Sequence, residues 1–124
     1  MMLPNTYLRA RKAAHHHVQV EITAISLPSV SPGEAIIQAR VGTVFRSAGS
    51  LSVDDSVEFE LSVTRSMDDI PPGPAFWVPA EVVGEGCWIE VFLNGEPPAC
   101  AVAKWQSQAI DGPTPGPVMS LTEL

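Results

Sequence analysis

Residues 87–105 read CWIEVFLNGEPPACAVAKW. Two apolar runs flank a short polar loop, and between them they hold both cysteines and two of the three tryptophans. Pro97 and Pro98 have no N–H to give to a ladder, so they belong in the loop. A loop over residues 94–98 sets the register: Leu93 faces Ala99, Val91 faces Ala101, Ile89 faces Ala103 and Cys87 faces Trp105. Large residues then oppose small ones, as in a packed core layer. The other face pairs Phe92 with Cys100, Glu90 with Val102 and Trp88 with Lys104. A two-residue Asn94-Gly95 turn is the alternative, but it forces Glu96, Pro97 and Pro98 into the strand. In the first register the cysteines lie on opposite faces, and two free thiols are expected.

Upstream of this hairpin the chain alternates with period two, the signature of half-buried strands. Residues 18–27 put Val18, Val20, Ile22 and Ala24 on one face, with Gln19, Glu21 and Thr23 on the other. Pro32-Gly33 ends a turn. Residues 34–46 form a long second strand, in which Gly42 marks a bulge. Residues 57–64 alternate most cleanly, with Val57, Phe59, Leu61 and Val63 inward. Residues 75–83 are apolar, but Pro79 restricts them to an edge strand or two short pieces. The expected fold is all-β: a small five- to six-stranded antiparallel barrel, with a β-sandwich as runner-up.

Length fits one domain, since the chain has 124 residues. Residues 1–17 read as a basic arm, 18–110 as the β domain and 111–124 as a Pro/Gly-rich tail. The net charge of −7 is unevenly spread. Residues 1–20 hold Arg9, Arg11 and Lys12 and no acid, whereas the rest holds all fourteen acids and four bases. An acidic body repels phosphate and argues against sequence-independent nucleic-acid binding. No membrane-length apolar run and no leader-like h-region occur, so a soluble, cytoplasmic chain is expected.

Residues 51–59, LSVDDSVEF, and 86–92, GCWIEVF, resemble strand entries and a central strand of OB-fold or netrin-like small barrels. The resemblance covers residues 18–110 and implies a small barrel fold. It carries over no functional residue.

Three chemistries compete. His15 and His17 share a face of an extended segment and are weak candidates for a metal, but a zinc site needs further ligands that no C-x-x-C or H-x-x-E pattern supplies. No cofactor motif is present, and no nucleophile, acid or base has a placed partner, which argues against an enzyme. The aromatic ledge Trp88, Glu90 and Phe92, with Lys104 opposite and Trp77 nearby, is the candidate ligand or partner surface. The expected function is thus a non-catalytic binding or interaction module, its partner a protein or a second copy of the chain. The bland alternative is that residues 1–17, residues 75–83 or the tail cover that ledge. The rival functional reading is an OB-type single-stranded nucleic-acid binder, stacking bases on Trp88 and Phe92 and using Arg9, Arg11, Lys12, Arg40 and Arg46 for phosphates.

Overall fold

Every second side chain of the first three strands enters the inner core, as their sequence period requires. The structure, a computed structural model, describes residues 4–48, 51–70 and 77–119. It begins with one helix, α1 (Pro4–Ala13), followed by β1 (His16–Ser26), β2 (Gly33–Ser47) and β3 (Ser56–Thr64). After a 3-10 turn come β4 (Val78–Pro79), β5 (Trp88–Asn94) and β6 (Ala101–Ile110). The core is the inner face of these strands: Val18, Val20 and Ile22 from β1, Ile37 and Val41 from β2, and Phe59 and Leu61 from β3. Ile89, Val91 and Leu93 of β5 complete it. Each such side chain contributes about 1.5–3 kcal/mol relative to an exposed position.

The strands form one sheet in the order β4-β3-β2-β1-β5-β6. It curls into an open half-barrel. Neighbours run antiparallel except β3 and β4, which pair in parallel through Val63–Val78 and Thr64–Pro79. The sheet is therefore mixed, not antiparallel throughout. Residues 75–76 of the expected fourth strand lie outside the described residues.

The β1–β2 ladder passes from Gln19–Thr43 to Val20–Val41 and skips Gly42, the bulge that this glycine signals. The missing side chain has a second use. A Cβ at Gly42 would stand 2.3 and 2.4 Å from two ring carbons of Trp88, so the indole lies directly over the glycine.

The hairpin register differs from the expected one. Leu93 pairs with Val102 and Asn94 with Ala101, after which the ladder jumps to Val91–Ser107 and continues to Trp88–Ile110. Two causes are visible. Residues 98–100 are bonded elsewhere: the Glu58 N–H donates to the Pro98 carbonyl (2.7 Å), and the Cys100 N–H donates to the Glu58 carbonyl (2.9 Å). The loop is thus stitched to β3 and has no ladder to give β5. Then β6 bulges, with Lys104 (φ 43°) and Trp105 (φ 60°) both left-handed. Lys104 does not face Trp88, Trp105 does not face Cys87, and Ala101 is exposed where a core position was expected. Both cysteines are free, and both pack half-buried on the same core rather than on opposite faces.

The termini do more than an arm and a tail would. β1 begins at His16, inside the stretch read as the arm, and the arm itself is helical over α1. Ala14 after α1, Phe92 of β5, Ala103 of β6 and Met119 of the tail form a second buried cluster on the outer face.

Gly42→Ala tests the close approach of Trp88. Overpacking there should cost about 1–3 kcal/mol in urea unfolding, and Trp88→Leu in the same chain should recover most of it. An unchanged midpoint for Gly42→Ala would contradict the packing.

Candidate functional site

β1 and β5 lie side by side with Gln19 opposite Glu90 and His17 opposite Phe92. Strand alternation puts all four side chains on the outer face, together with Trp88. There Glu90 is fully buried, and its carboxylate accepts four hydrogen bonds. The His17 Nε2–H donates to Oε2 (3.0 Å) and the Gln19 Nε2 to Oε1 (2.8 Å). The backbone N–H groups of Val118 (2.8 Å, to Oε1) and Met119 (2.6 Å, to Oε2) supply the other two. Gln19 also grips the tail at Thr114, accepting its N–H at 2.8 Å and donating to its hydroxyl at 2.6 Å. Three prolines at 113, 115 and 117 leave few N–H groups in this segment, and three of those present go to two side chains.

The rest of the face is closed by rings and by α1. His17 stacks on Phe92 with centroids 3.8 Å apart and meets Phe45 at 5.0 Å. The Arg11 guanidinium sits 5.9 Å from the Phe92 centroid and donates Nε–H to Gln106 Oε1 at 2.6 Å. Arg46 ties down the end of the helix by donating to the carbonyls of Arg11 (2.5 Å) and Ala14 (2.8 Å), the role that basic groups play at helix C-termini.

The ledge expected to be open is therefore mostly roofed. Glu90 and Phe92 have no exposed surface, while Trp88 is half-buried over Gly42. Trp77 stands beside β4, with β3, β2 and β1 between it and β5 in the sheet. Lys104 is exposed on β6. Of the five residues singled out, only Glu90 and Phe92 are brought together beneath the tail.

Burial pushes the Glu90 carboxyl up, but its hydrogen bonds from His17, Val118, Gln19 and Met119 outweigh this and hold it below the ordinary range. Burial also pushes the His17 imidazole down, further than the Glu90 contact raises it. The pair is thus a carboxylate bonded by a neutral imidazole. With the tail docked, both side chains are shut off from solvent.

The other histidines diverge. His15 Nδ1 accepts the Gly95 N–H at 2.9 Å, and the His16 ring bridges Ser47 Oγ (2.8 Å) and the Gly95 carbonyl (2.9 Å). His15 and His17 share no ligand position. Among the described residues no three His, Cys, Asp or Glu side chains gather as a metal site would require.

A concave surface of about 640 Å³ lies elsewhere, along the seam between β3 and β6. The Glu58–Ala99 bridge, parallel in sense, pins one end of the seam. At the other end β4 takes over the β3 edge from Val63. Between these points the Glu60–Ser62 edge of β3 has no strand partner among the described residues. Phe59, Leu61 and Val102 supply apolar lining, and Trp105 is a half-buried wall. Glu34, Glu58 and Glu60 line it too, as does Lys104. Glu34 accepts from the Ser62 hydroxyl (2.9 Å) and Glu58 from the Gln38 amide (3.3 Å). Glu60 and Lys104 make no side-chain hydrogen bond or ion pair with another described residue. The bulge puts Trp105 here. Two successive non-glycine residues at positive φ are costly, about 1–3 kcal/mol each, and such strain clusters at functional sites. Bulges beside such sites re-aim side chains.

Comparison with protein-family models finds no match, and comparison with curated proteins finds none at a significant level.

Acid should weaken the fold through the His17–Glu90 pair. An unfolded chain takes a proton on His17 below about pH 6.5, whereas the buried ring resists it, so stability falls as pH drops below that value. The Glu90 contribution is present above about pH 4.3 and is lost as pH falls through the lower folded value. Urea midpoints should decline from pH 7 to pH 4, and His17→Gln should confine the decline to the carboxylate range. A wild-type profile flat from pH 7 to pH 5 would count against the buried neutral imidazole.

At the bulge, Lys104→Gly should raise stability by about 0.5–1 kcal/mol, because glycine bears no left-handed penalty. A loss in the same denaturation assay would contradict the φ of 43°.

Proposed function

We propose that this chain is a non-catalytic interaction module that binds a segment of a partner protein in the groove between β3 and β6. The observation that carries the reading is the bulge at Lys104 and Trp105. It spends backbone strain to turn an indole into the groove, where half-buried aromatics serve as anchors in protein interfaces. The groove also leaves a short stretch of sheet edge unpaired, and such edges take extended peptides. The aromatic ledge of β5 is a weaker candidate for this role, because Met119 of the tail, Ala14 and the Arg11 guanidinium already cover Phe92.

The connectivity supports an OB-like description of the barrel. β1, β2 and β3 form a meander, β5 returns beside β1, and the chain leading into β6 closes against β3 in parallel. With β4 as an added edge strand, this connectivity is similar to that of a partly open five-stranded Greek-key barrel. The nucleic-acid role that OB barrels often perform gains no such support. Arg40 is committed to Glu21 (2.7 Å) and Asp54 (2.8 Å), and Arg11 and Arg46 hold the helix to the sheet. The carboxylates of Glu34, Glu58 and Glu60 would repel phosphates at the groove.

A random heptapeptide display selection on the wild-type chain tests this reading. Enriched peptides should lose at least about tenfold in affinity on Trp105→Ala, as truncation of an interface anchor does, and should keep their affinity on Trp88→Ala. Circular dichroism should report both variants folded. Peptides that bind Trp105→Ala as well as the wild type, or no enrichment at all, would overturn it.

A further inference from the structure

Resting on the reading of the β3–β6 groove as the binding site, we infer that its occupant is a short, extended, basic segment of a partner protein, with Lys or Arg side chains alternating with aliphatic ones. Charge comes first. Three carboxylates, Glu34, Glu58 and Glu60, line the groove against one ammonium, Lys104. The hydrogen bonds that two of them receive come from a neutral hydroxyl and a neutral amide, so their charge is not cancelled. Glu60 has no protein partner among the described residues. The chain as a whole carries −7, which adds a long-range pull on cations.

Spacing comes second. Glu58 and Glu60 stand two residues apart on β3, and Ile36, 45% exposed, is opposite Glu60 on β2. An extended peptide repeats its side-chain direction at the same interval. Its cationic residues thus meet the carboxylates in step, while the aliphatic ones fall toward Phe59, Leu61 and Val102. The indole of Trp105 offers a third contact, since a cation over its face is favoured.

The main chain argues for a peptide over a free polyamine. The β3 edge at Glu60–Ser62 lies between the bridge at Glu58 and the β4 pairing at Val63. Its groups are satisfied by another backbone, which a polyamine lacks. The free edge is short, so the occupant pairs over only a few residues, and specificity falls to its side chains.

The test is a titration of the isotope-labelled full chain, followed by amide and indole NMR shifts. Four probes are used: acetyl-Val-Lys-Val-Lys-Val-amide, its glutamate counterpart, its serine counterpart and spermidine. The lysine peptide should shift Glu60, Ser62, Ala101 and the Trp105 indole. The glutamate peptide should not. Raising the salt should weaken binding, as screening requires, and Glu60→Gln should weaken it about two- to fivefold, the range for one exposed pair. Equal binding of the serine peptide at the same residues would overturn the basic occupant and leave the groove as the binding site. Groove shifts from spermidine but not from the lysine peptide would overturn the peptide. No groove shift from any probe would overturn the inference together with the reading on which it rests.

Discussion

The buried carboxylate of Glu90 organises the outer half of this molecule. A carboxylate with no exposed surface is tolerated only when its lone pairs are filled. Here one histidine, one glutamine and two backbone N–H groups fill them. Two of those donors belong to the tail, so the same interaction that satisfies the charge also fixes where the chain ends up after β6. Met119 is thereby placed on Phe92, and Phe92 on the ring of His17. Helix α1 closes the other side through Arg11 and Arg46. A single strand face is converted from surface into a second, partly polar core.

With that face sealed, the seam between β3 and β6 remains as a concave surface. The half-barrel does not close there, because the chain leading into β6 meets β3 at one bridge, through Ala99, and β6 itself then bulges. Strain at Lys104 and Trp105 and an unpartnered Glu60 coincide at that gap. Structural necessity explains the Glu90 network well. It does not explain why a half-buried indole on strained backbone and the unpartnered Glu60 should share an open groove, and that contrast is what supports the proposed binding role.

The inner core was legible from period-two alternation alone. Val18, Ile37, Phe59 and Val91 are buried where the pattern puts them, and Gly42 is the bulge it signals. The outer face is not legible in the sequence, for a physical reason. Gln19 and Glu90 alternate with apolar residues, and alternation with polar side chains normally means water on that side. Nothing local says that these two satisfy each other and a distant tail. The hairpin register failed because Pro97-Pro98 marks a loop without saying how wide it is. Bonds from Glu58 of β3 widened it, and β3 is far away in sequence. Left-handed Lys104 and Trp105 carry no sequence signal, since neither residue type favours that conformation.

Amide hydrogen exchange at Val118 and Met119 is the most direct measurement. If the tail is the roof that Glu90 requires, both N–H groups should be protected to the same order as amides of β5, and Glu90→Gln should release them selectively. Exchange at the rate of an unstructured chain in the wild-type protein would mean that the outer face is open, and that the ledge of Trp88 and Phe92, not the seam, is the surface to pursue.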